Sequence, residues 1–261
     1  MVNICCPFCE EERFHLGVHT ENLWFLCFVC NAKGQFGKLQ RKSDLQDIDK
    51  TRYTDDKPKP KQITQPTSGL ELIPIHPYDE FGQYLIDRDV TLQALQVINF
   101  CKNKIPDDFL YIPCDNQQWI ARSIEDNPTL KHKKVATTTA PFTFGFNFVE
   151  QYEWDKLIIV EGIFDALRLP LGMAVALCGK TLGNATLTQL INFGESRELV
   201  FFMDKDVTNV RDHFREQINT LMDFGIKVKI YKWQPNTKAK DCDELGRTDE
   251  SALYKELGIE F

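Results

Sequence analysis

Four apolar runs punctuate the second half of the chain: LIIV at 157–160, MAVAL at 173–177, LVFFM at 199–203 and IKVKIYKW at 226–233. Runs this short and this continuous predict strands, mostly buried on both faces. Helical patterns lie between them. Phe164 to Leu169 follows the first run and Ala185 to Phe193 the second. After the third, Val210, Phe214, Ile218, Leu221 and Met222 recur at helical spacing, with Thr208 and Asn209 as cap candidates and Gly225 as the close. Strands alternating with helices predict an α/β fold with a parallel sheet wound by right-handed crossovers. In such sheets, function gathers beyond the carboxyl ends of the strands.

Upstream the pattern changes twice. Residues 1–42 hold two cysteine pairs and a density of aromatics, with apolar stretches FHLGV and NLWFLCF that read as two short strands. Residues 43–68, SDLQDIDKTRYTDDKPKPKQITQPTS, are polar, mixed in charge and proline-bearing, with too little apolar surface to offset chain entropy. They predict a flexible linker with a mean reach of roughly 25 to 30 Å. From Gly69 onward the chain is densely patterned.

Composition narrows the class. The 261 residues, 43% hydrophobic and 26% charged, suffice for one or two domains with real cores. No apolar run reaches the roughly 18 residues that span a bilayer. The N-terminus MVNICCPFC lacks a basic flank and an apolar signal core, so the expected compartment is the cytoplasm, with no membrane partner. Nine cysteines in a cytosolic chain point to metal before disulfides. The net charge of −7 excludes a uniformly basic nucleic-acid binder, though local basic patches remain possible.

Cys6-Pro-Phe-Cys9 and Cys27-Phe-Val-Cys30 are two CxxC knuckles with seventeen residues between them, the spacing of a tetrahedral zinc ribbon. A module this small cannot bury enough surface to fold alone, so zinc would supply about 10 kcal/mol or more of folding free energy. Cys5 beside Cys6 leaves the register open, and His15 or His19 is an alternative to one thiolate. The single cysteines Cys101, Cys114, Cys178 and Cys242 read as small buried hydrophobes.

The strand-end rule selects a set of acids. Glu161 follows LIIV, Asp204 and Asp206 follow LVFFM, and Asp241 and Asp243 lie in KAKDCDEL after the fourth strand. Carboxylates converging on one sheet edge repel and raise one another's pKa values. A hard divalent cation relieves this, and Mg²⁺ is usually held by a few carboxylates plus substrate phosphates.

These residues resemble a known family. Val160-Glu161-Gly162-Ile163-Phe164-Asp165-Ala166 looks like the glutamate motif of the Toprim domain, and Asp204-Lys205-Asp206 looks like its DxD motif. Upstream, CPFC, FHLGVH and WFLCFVCNAKGQFGKL resemble the zinc-binding domain of DnaG-type DNA primases. YLIDRDVT with Arg88, then WIARSI, KHKK and FTFGFN follow in that family's order, and KAKDCDEL resembles its third acidic pair. The resemblance implies a zinc ribbon over 1–42 and a linker over 43–68. It implies a primase-like polymerase core with an α+β N-terminal subdomain over 69–150 and a Toprim parallel-sheet domain over 151–261. The stop at Phe261, without further helices or a fused helicase, is similar to a compact phage or mobile-element form, acting in the host cytoplasm. VATTTAPFTFGFN lacks a basic residue that bacterial primases place before the last aromatic-glycine pair.

The implied activity is synthesis of short RNA primers from NTPs on a single-stranded DNA template by metal-dependent nucleotidyl transfer. The implied cofactors are one structural Zn²⁺ and catalytic Mg²⁺ or Mn²⁺, and a separate replicative helicase is an implied partner. Asp204 and Asp206 would be the principal metal ligands, with Asp241 and Asp243 completing the cluster directly or through water, and Glu161 either ligand or general base. Asp165 would support the site from behind. Arg88, Arg122, Lys131, Lys133, Lys134 and Lys180 are the candidates for template or NTP phosphates. The GK at Lys180 is no P-loop, since the upstream glycine spacing is absent. Trp24, Phe25 and Phe28 are candidates for stacking template bases, or for ribbon core. A Toprim nuclease, or a non-catalytic zinc and Toprim recombination or loading protein of the RecR kind, would use some of the same parts.

Overall fold

The computed structural model describes residues 2–6, 11–18, 24–27, 30, 32–35, 70–105, 107–136, 139–207 and 209–259. The linker expected over 43–68 lies outside these residues, as does Cys9. Among the described residues the fold is mixed α/β, with two antiparallel sheets and one parallel sheet.

The first sheet is an antiparallel meander of β1 (Val2–Cys6), β2 (Glu11–Val18), β3 (Trp24–Cys27) and β4 (Lys33–Gln35). The strands read in FHLGV and NLWFLCF pair with each other, Leu16 opposite Cys27. Leu16, Val18 and Phe25 bury with Cys6 and Cys27. Phe25 is therefore ribbon core, not a free stacking surface.

The second sheet joins β5 (Leu72–Pro74), β6 (Cys101–Asn103), β7 (Phe109–Pro113), β8 (Trp119–Ser123) and β9 (His132–Val135) in sequence order, all antiparallel. Between β5 and β6 lie α1 (Glu80–Asp87) and α2 (Leu92–Val97). Asp79 Oδ1 accepts the Gly82 N–H at 2.9 Å and Thr91 Oγ1 accepts the Ala94 N–H at 3.2 Å, so each helix starts on a side-chain cap. After β9 comes α3 (Phe146–Val149).

The third sheet is parallel: β10 (Lys156–Val160), β11 (Ala174–Ala176), β12 (Glu198–Phe201) and β13 (Val228–Ile230), in spatial order β11-β10-β12-β13. Its helices are α4 (Ile163–Leu167), α5 (Asn184–Gly194), α6 (Val210–His213), α7 (Arg215–Asp223), α8 (Cys242–Thr248) and α9 (Glu250–Leu257). Strand alternation sorts the apolar runs onto two faces. Ile158, Val160, Ala174, Ala176, Val200 and Phe202 join one core with Phe81, Leu85, Leu110, Ile112 and Ile120 of the second sheet's layer and with Leu245 and Leu253. Leu157, Ile159, Val175, Leu177, Leu199, Phe201 and Met203 join another with Leu187, Leu190, Ile191, Phe214, Ile218 and Leu221.

Three local expectations change. The LVFFM strand leaves its ladder after Phe201: the Met203 carbonyl accepts from Trp233 Nε1 at 2.9 Å, and the Asp204 N–H donates to Glu161 Oε1 at 3.2 Å. Side chains thus take over the backbone groups that a neighbouring strand would have used. IKVKIYKW contributes only Val228–Ile230, a half-buried edge strand. The helix after Asp206 is interrupted at Phe214, and Met222 is 54% exposed because its neighbour Leu221 takes the inward position. Asn209 is the cap, its Oδ1 accepting the Asp212 N–H at 3.2 Å.

Among the described residues, no helix is long and apolar enough to cross a membrane.

Candidate acidic metal centre

The order β11-β10-β12-β13 sends the chain from β10 first to one side and then to the other, so β10 and β12 flank a topological switch point. At such a point the helices leave on opposite faces and open a crevice beyond the strand ends. Glu161 is the residue after β10, and Asp204 is the third residue after β12. Carboxylate oxygens of Glu161, Asp204 and Asp206 all lie within 4.8 Å of one another.

The site is tensioned by charge. Burial, followed by the charges of Glu161, Asp241 and Asp206, pushes the Asp204 carboxyl up to about 7. Burial and the Asp206 charge also raise Glu161, against the Asp204 backbone bond, Lys180 and His213, which favour its ionised form. The facing cation is Lys180, its Nζ 3.8 Å from Asp206 Oδ2, with both side chains mostly exposed. A screened pair of this kind compensates little. Three converging oxygen donors, undercompensated and open to solvent on the Asp206 side, fit a hard divalent cation.

Asp165 lies behind the cluster, 7% exposed. Its Oδ2 accepts the Gly162 N–H at 3.1 Å and its Oδ1 accepts the Asp243 N–H at 2.9 Å, tying the loop after β10 to the start of α8. A Cβ on Gly162 would meet Asp165 Oδ2 at 2.6 Å, so glycine there is a condition of the close approach. Burial, then the charges of Asp241, Asp204 and Asp243, pushes Asp165 up to about 7.

The third acidic pair is placed differently from the triad. Asp241 caps α8, its Oδ1 accepting the Glu244 N–H at 2.7 Å. Asp243 is buried under three guanidinium groups: Arg168 at 2.9 Å, Arg247 at 3.2 Å and Arg88 at 3.3 Å. Arg168 also donates to the Arg88 carbonyl at 2.7 Å. Neither acid is among the three whose oxygens converge. Lys205, between the two DxD acids, turns aside: its backbone N–H donates to the Lys240 carbonyl at 2.7 Å and its ammonium to the Thr237 carbonyl. The DxD segment and the KAKDCDEL loop are thereby held together.

The predicted cations divide. Arg88 packs its guanidinium 4.5 Å from the Phe164 ring and 5.1 Å from the Tyr84 ring, and Arg122 Nε donates to Tyr84 Oη at 3.2 Å. Lys131 is held below the usual lysine range by Arg122 first, then burial, Lys240 and Arg88, with Asp241 opposing. These cations therefore crowd one another beside the acids. Lys134 pairs in register with Ile120 and His132 with Arg122, whereas Lys133 pairs with Ala121. Lys133 consequently falls on the opposite sheet face, its ammonium 4.0 Å from the Phe109 ring. Lys240, His213, Arg168 and Arg247 are the site neighbours that sequence reasoning passed over. Lys240 carried a signal, its place beside Asp241 in the loop, and so did Arg247, four residues after Asp243 at helical pairing distance; Arg168 carried none, being tied to Asp243 only by the fold.

In the N-terminal sheet, sulfur atoms of Cys6, Cys27 and Cys30 lie within 4.8 Å of one another, with Cys6 and Cys30 at 3.7 Å. Ligands at the ~2.3 Å zinc–sulfur distance of a tetrahedral site stand about 3.8 Å apart. The cluster fits a thiolate metal site; the fourth expected ligand, Cys9, is outside the described residues.

The raised carboxyls give a signed pH dependence in chelator. In the unfolded chain Asp204 ionises near 3.8, in the fold near 7, so between those values the fold holds a proton that the unfolded chain has lost. Its stabilising contribution is full below about 4 and is lost as pH rises through about 7. Denaturation midpoints in EDTA are expected to shift in favour of Asp204→Asn over wild type between pH 5 and pH 8. Millimolar Mg²⁺ at pH 8 should then raise the wild type selectively, since it binds only the fold. A wild-type advantage that grows with pH in EDTA contradicts this.

No protein-family model matches the chain, and no curated protein matches it. Among solved structures the chain is similar to the crystal structure of the Aquifex aeolicus primase, zinc-binding and RNA polymerase domains, at 18% sequence identity and a TM-score of 0.47, covering 98% of this chain and 78% of that chain.

Proposed function

We propose that this chain is a DNA primase of the DnaG type, in which a Toprim domain and the antiparallel subdomain before it join NTPs into short RNA on single-stranded DNA. The observation that carries the reading is the convergence of Glu161, Asp204 and Asp206 at the switch point between β10 and β12. The order of the ribbon, YLIDRD, KHKK and acidic motifs along the chain supports it independently.

A Mg²⁺ or Mn²⁺ ion held by Asp204, Asp206 and Glu161 would supply Lewis-acid stabilisation of charge at the reacting phosphate and would lower the pKa of the attacking 3′-hydroxyl. The chain's own residues do the rest. The Asp204 backbone N–H holds Glu161 Oε1, so the glutamate is aimed before any substrate arrives. Arg122, Lys131 and Lys240 crowd beside the acids and favour phosphate, because an anion there relieves their mutual repulsion. Lys180 stands on the Asp206 side, where the leaving pyrophosphate would gather charge. Asp165 and Asp243 hold the loops that carry these groups.

The ribbon would hold one zinc through Cys6, Cys9, Cys27 and Cys30. Cys27→Ser is expected to lose that zinc, counted by metal analysis, and to impair initiation; full zinc and unchanged template choice contradict it.

One assay tests the reading against its rivals: protein, single-stranded DNA, labelled nucleotides and Mg²⁺ or Mn²⁺, with products resolved by length. Short, ribonucleotide-dependent products support primase. Shortened template supports a nuclease, and template binding without either product supports a loading protein.

A further inference from the structure

Beside the acid triad lies a cleft of about 390 Å³, lined by Glu161, Lys180, Asp206, Asn209, Asp212 and His213. One wall is loop 178–183, which runs from β11 to α5 and carries Lys180. It has no helix or strand of its own, and it begins with Cys178 at φ 51°, a left-handed conformation that side chains other than glycine rarely adopt. The contact between Lys180 and Asp206 cannot fix this loop, since at 3.8 Å and with side chains 71% and 72% exposed it is weak and screened.

The opposite wall does fix it. His213 Nε2 lies 2.7 Å from the Lys180 carbonyl oxygen. A carbonyl only accepts, so Nε2 carries the proton and donates. Beyond the break at Phe214, the Gln217 amide of α7 donates to the Leu182 carbonyl at 3.5 Å, a longer second hold on the same loop. The donor is itself anchored. The His213 ring stands edge-on to Phe214 at 4.5 Å, and Phe214 is buried against Phe201 of β12 at 5.8 Å. The Asn209 cap fixes the turn that presents the ring. A packed line thus runs from the strand that aims the DxD acids, through Phe214 and His213, to the backbone of Lys180.

We propose that His213 is a positioning residue for Lys180. It holds the 178–183 loop at a set height over the cleft, so that the ammonium meets the triphosphate of a nucleotide whose α-phosphate lies at the acids. The nucleotide half of this rests on the function proposed above; the hold on the loop does not. His213 is exposed, so its replacement leaves the core intact.

The test compares wild type, His213→Ala, His213→Gln, Lys180→Ala and the double variant His213→Ala/Lys180→Ala. Two readouts are taken: amide hydrogen exchange over 178–183, and primer synthesis against NTP concentration. His213→Ala is expected to speed exchange in the loop about five- to tenfold, the effect of one hydrogen bond. It should raise KM for NTP by a similar factor with kcat little changed. His213→Gln, whose amide can donate to the same carbonyl, should restore most of both. The double variant should be no worse than Lys180→Ala, because the histidine acts through the lysine. Unchanged exchange in His213→Ala, or KM losses that add in the double variant, overturns the proposal. A wild type that makes no primers overturns the functional reading instead, and the exchange result still decides whether His213 holds the loop.

Discussion

Asp204→Asn is expected to lower primer synthesis about a thousandfold or more while the protein stays folded. The substitution keeps the shape of the side chain and removes the charge that the triad needs to hold a divalent cation. Metal stabilisation of a phosphoryl-transfer transition state is worth several kcal/mol, and each 1.36 kcal/mol is a factor of ten in rate. Folding should not suffer, because burial first, and then the charges of Glu161, Asp241 and Asp206, push the Asp204 carboxyl up to about 7. Asparagine removes both penalties. The expected pair of results is therefore opposite in sign: activity collapses and stability in EDTA at pH 8 rises. Rates from product length analysis and midpoints from denaturation check the two together. Retained activity would remove Asp204 from the metal-holding role, and a large stability loss would mean that the carboxylate serves the fold.

Asp243→Ala is expected to give the reverse pattern. Its carboxylate is buried with Arg168, at side-chain exposures of 8% and 7%, and also meets Arg88 and Arg247. Removing one partner of a buried pair leaves uncompensated charge and typically costs about 3 to 5 kcal/mol. In a chain of this size that lowers Tm by on the order of 10 °C. The loss should be present without any divalent cation, since the partners are guanidinium groups. Asp241→Ala, two residues away, removes a helix cap worth about 1 kcal/mol and also lifts a like charge from Asp204 and Asp165, so its net cost should be about 1 kcal/mol or less. Thermal unfolding in EDTA separates the two. An Asp243→Ala protein as stable as wild type would contradict this structural role.

The contrast between Asp204 and Asp243 marks what the sequence makes legible. Strand ends are readable because a continuous apolar run followed by a carboxylate fixes both the strand and the side of the sheet where the acid emerges. Glu161, Asp204 and Asp206 were found that way, and they converge. Asp243 looks equivalent in the text, but Arg88 and Arg168 stand 155 and 75 residues from it, and no local pattern announces them. The Lys131–Lys134 run shows a different limit. It reads as a set of phosphate candidates with no strand assigned to it, and only the β8–β9 register shows that Lys133 lies on the sheet face opposite Lys134. Phe202 and Met203 stayed buried as read, but the inter-strand bonding ends with the Phe202 N–H on the Ile159 carbonyl at 2.8 Å, and Trp233 and Glu161 bond the backbone just beyond it. The two side chains that end the strand are also the ones that set the height of the DxD acids, a coupling visible only in three dimensions.

On the proposed function, the acids at the switch point serve formation of a phosphodiester bond between nucleotides. Mass spectrometry of the earliest products tests it most directly, with wild-type protein, single-stranded DNA, ribonucleoside triphosphates and Mg²⁺. The prediction is a dinucleotide bearing a 5′-triphosphate, with one pyrophosphate released per bond and none of either in Asp204→Asn. Unconsumed nucleotides beside a template cut into shorter strands would contradict it.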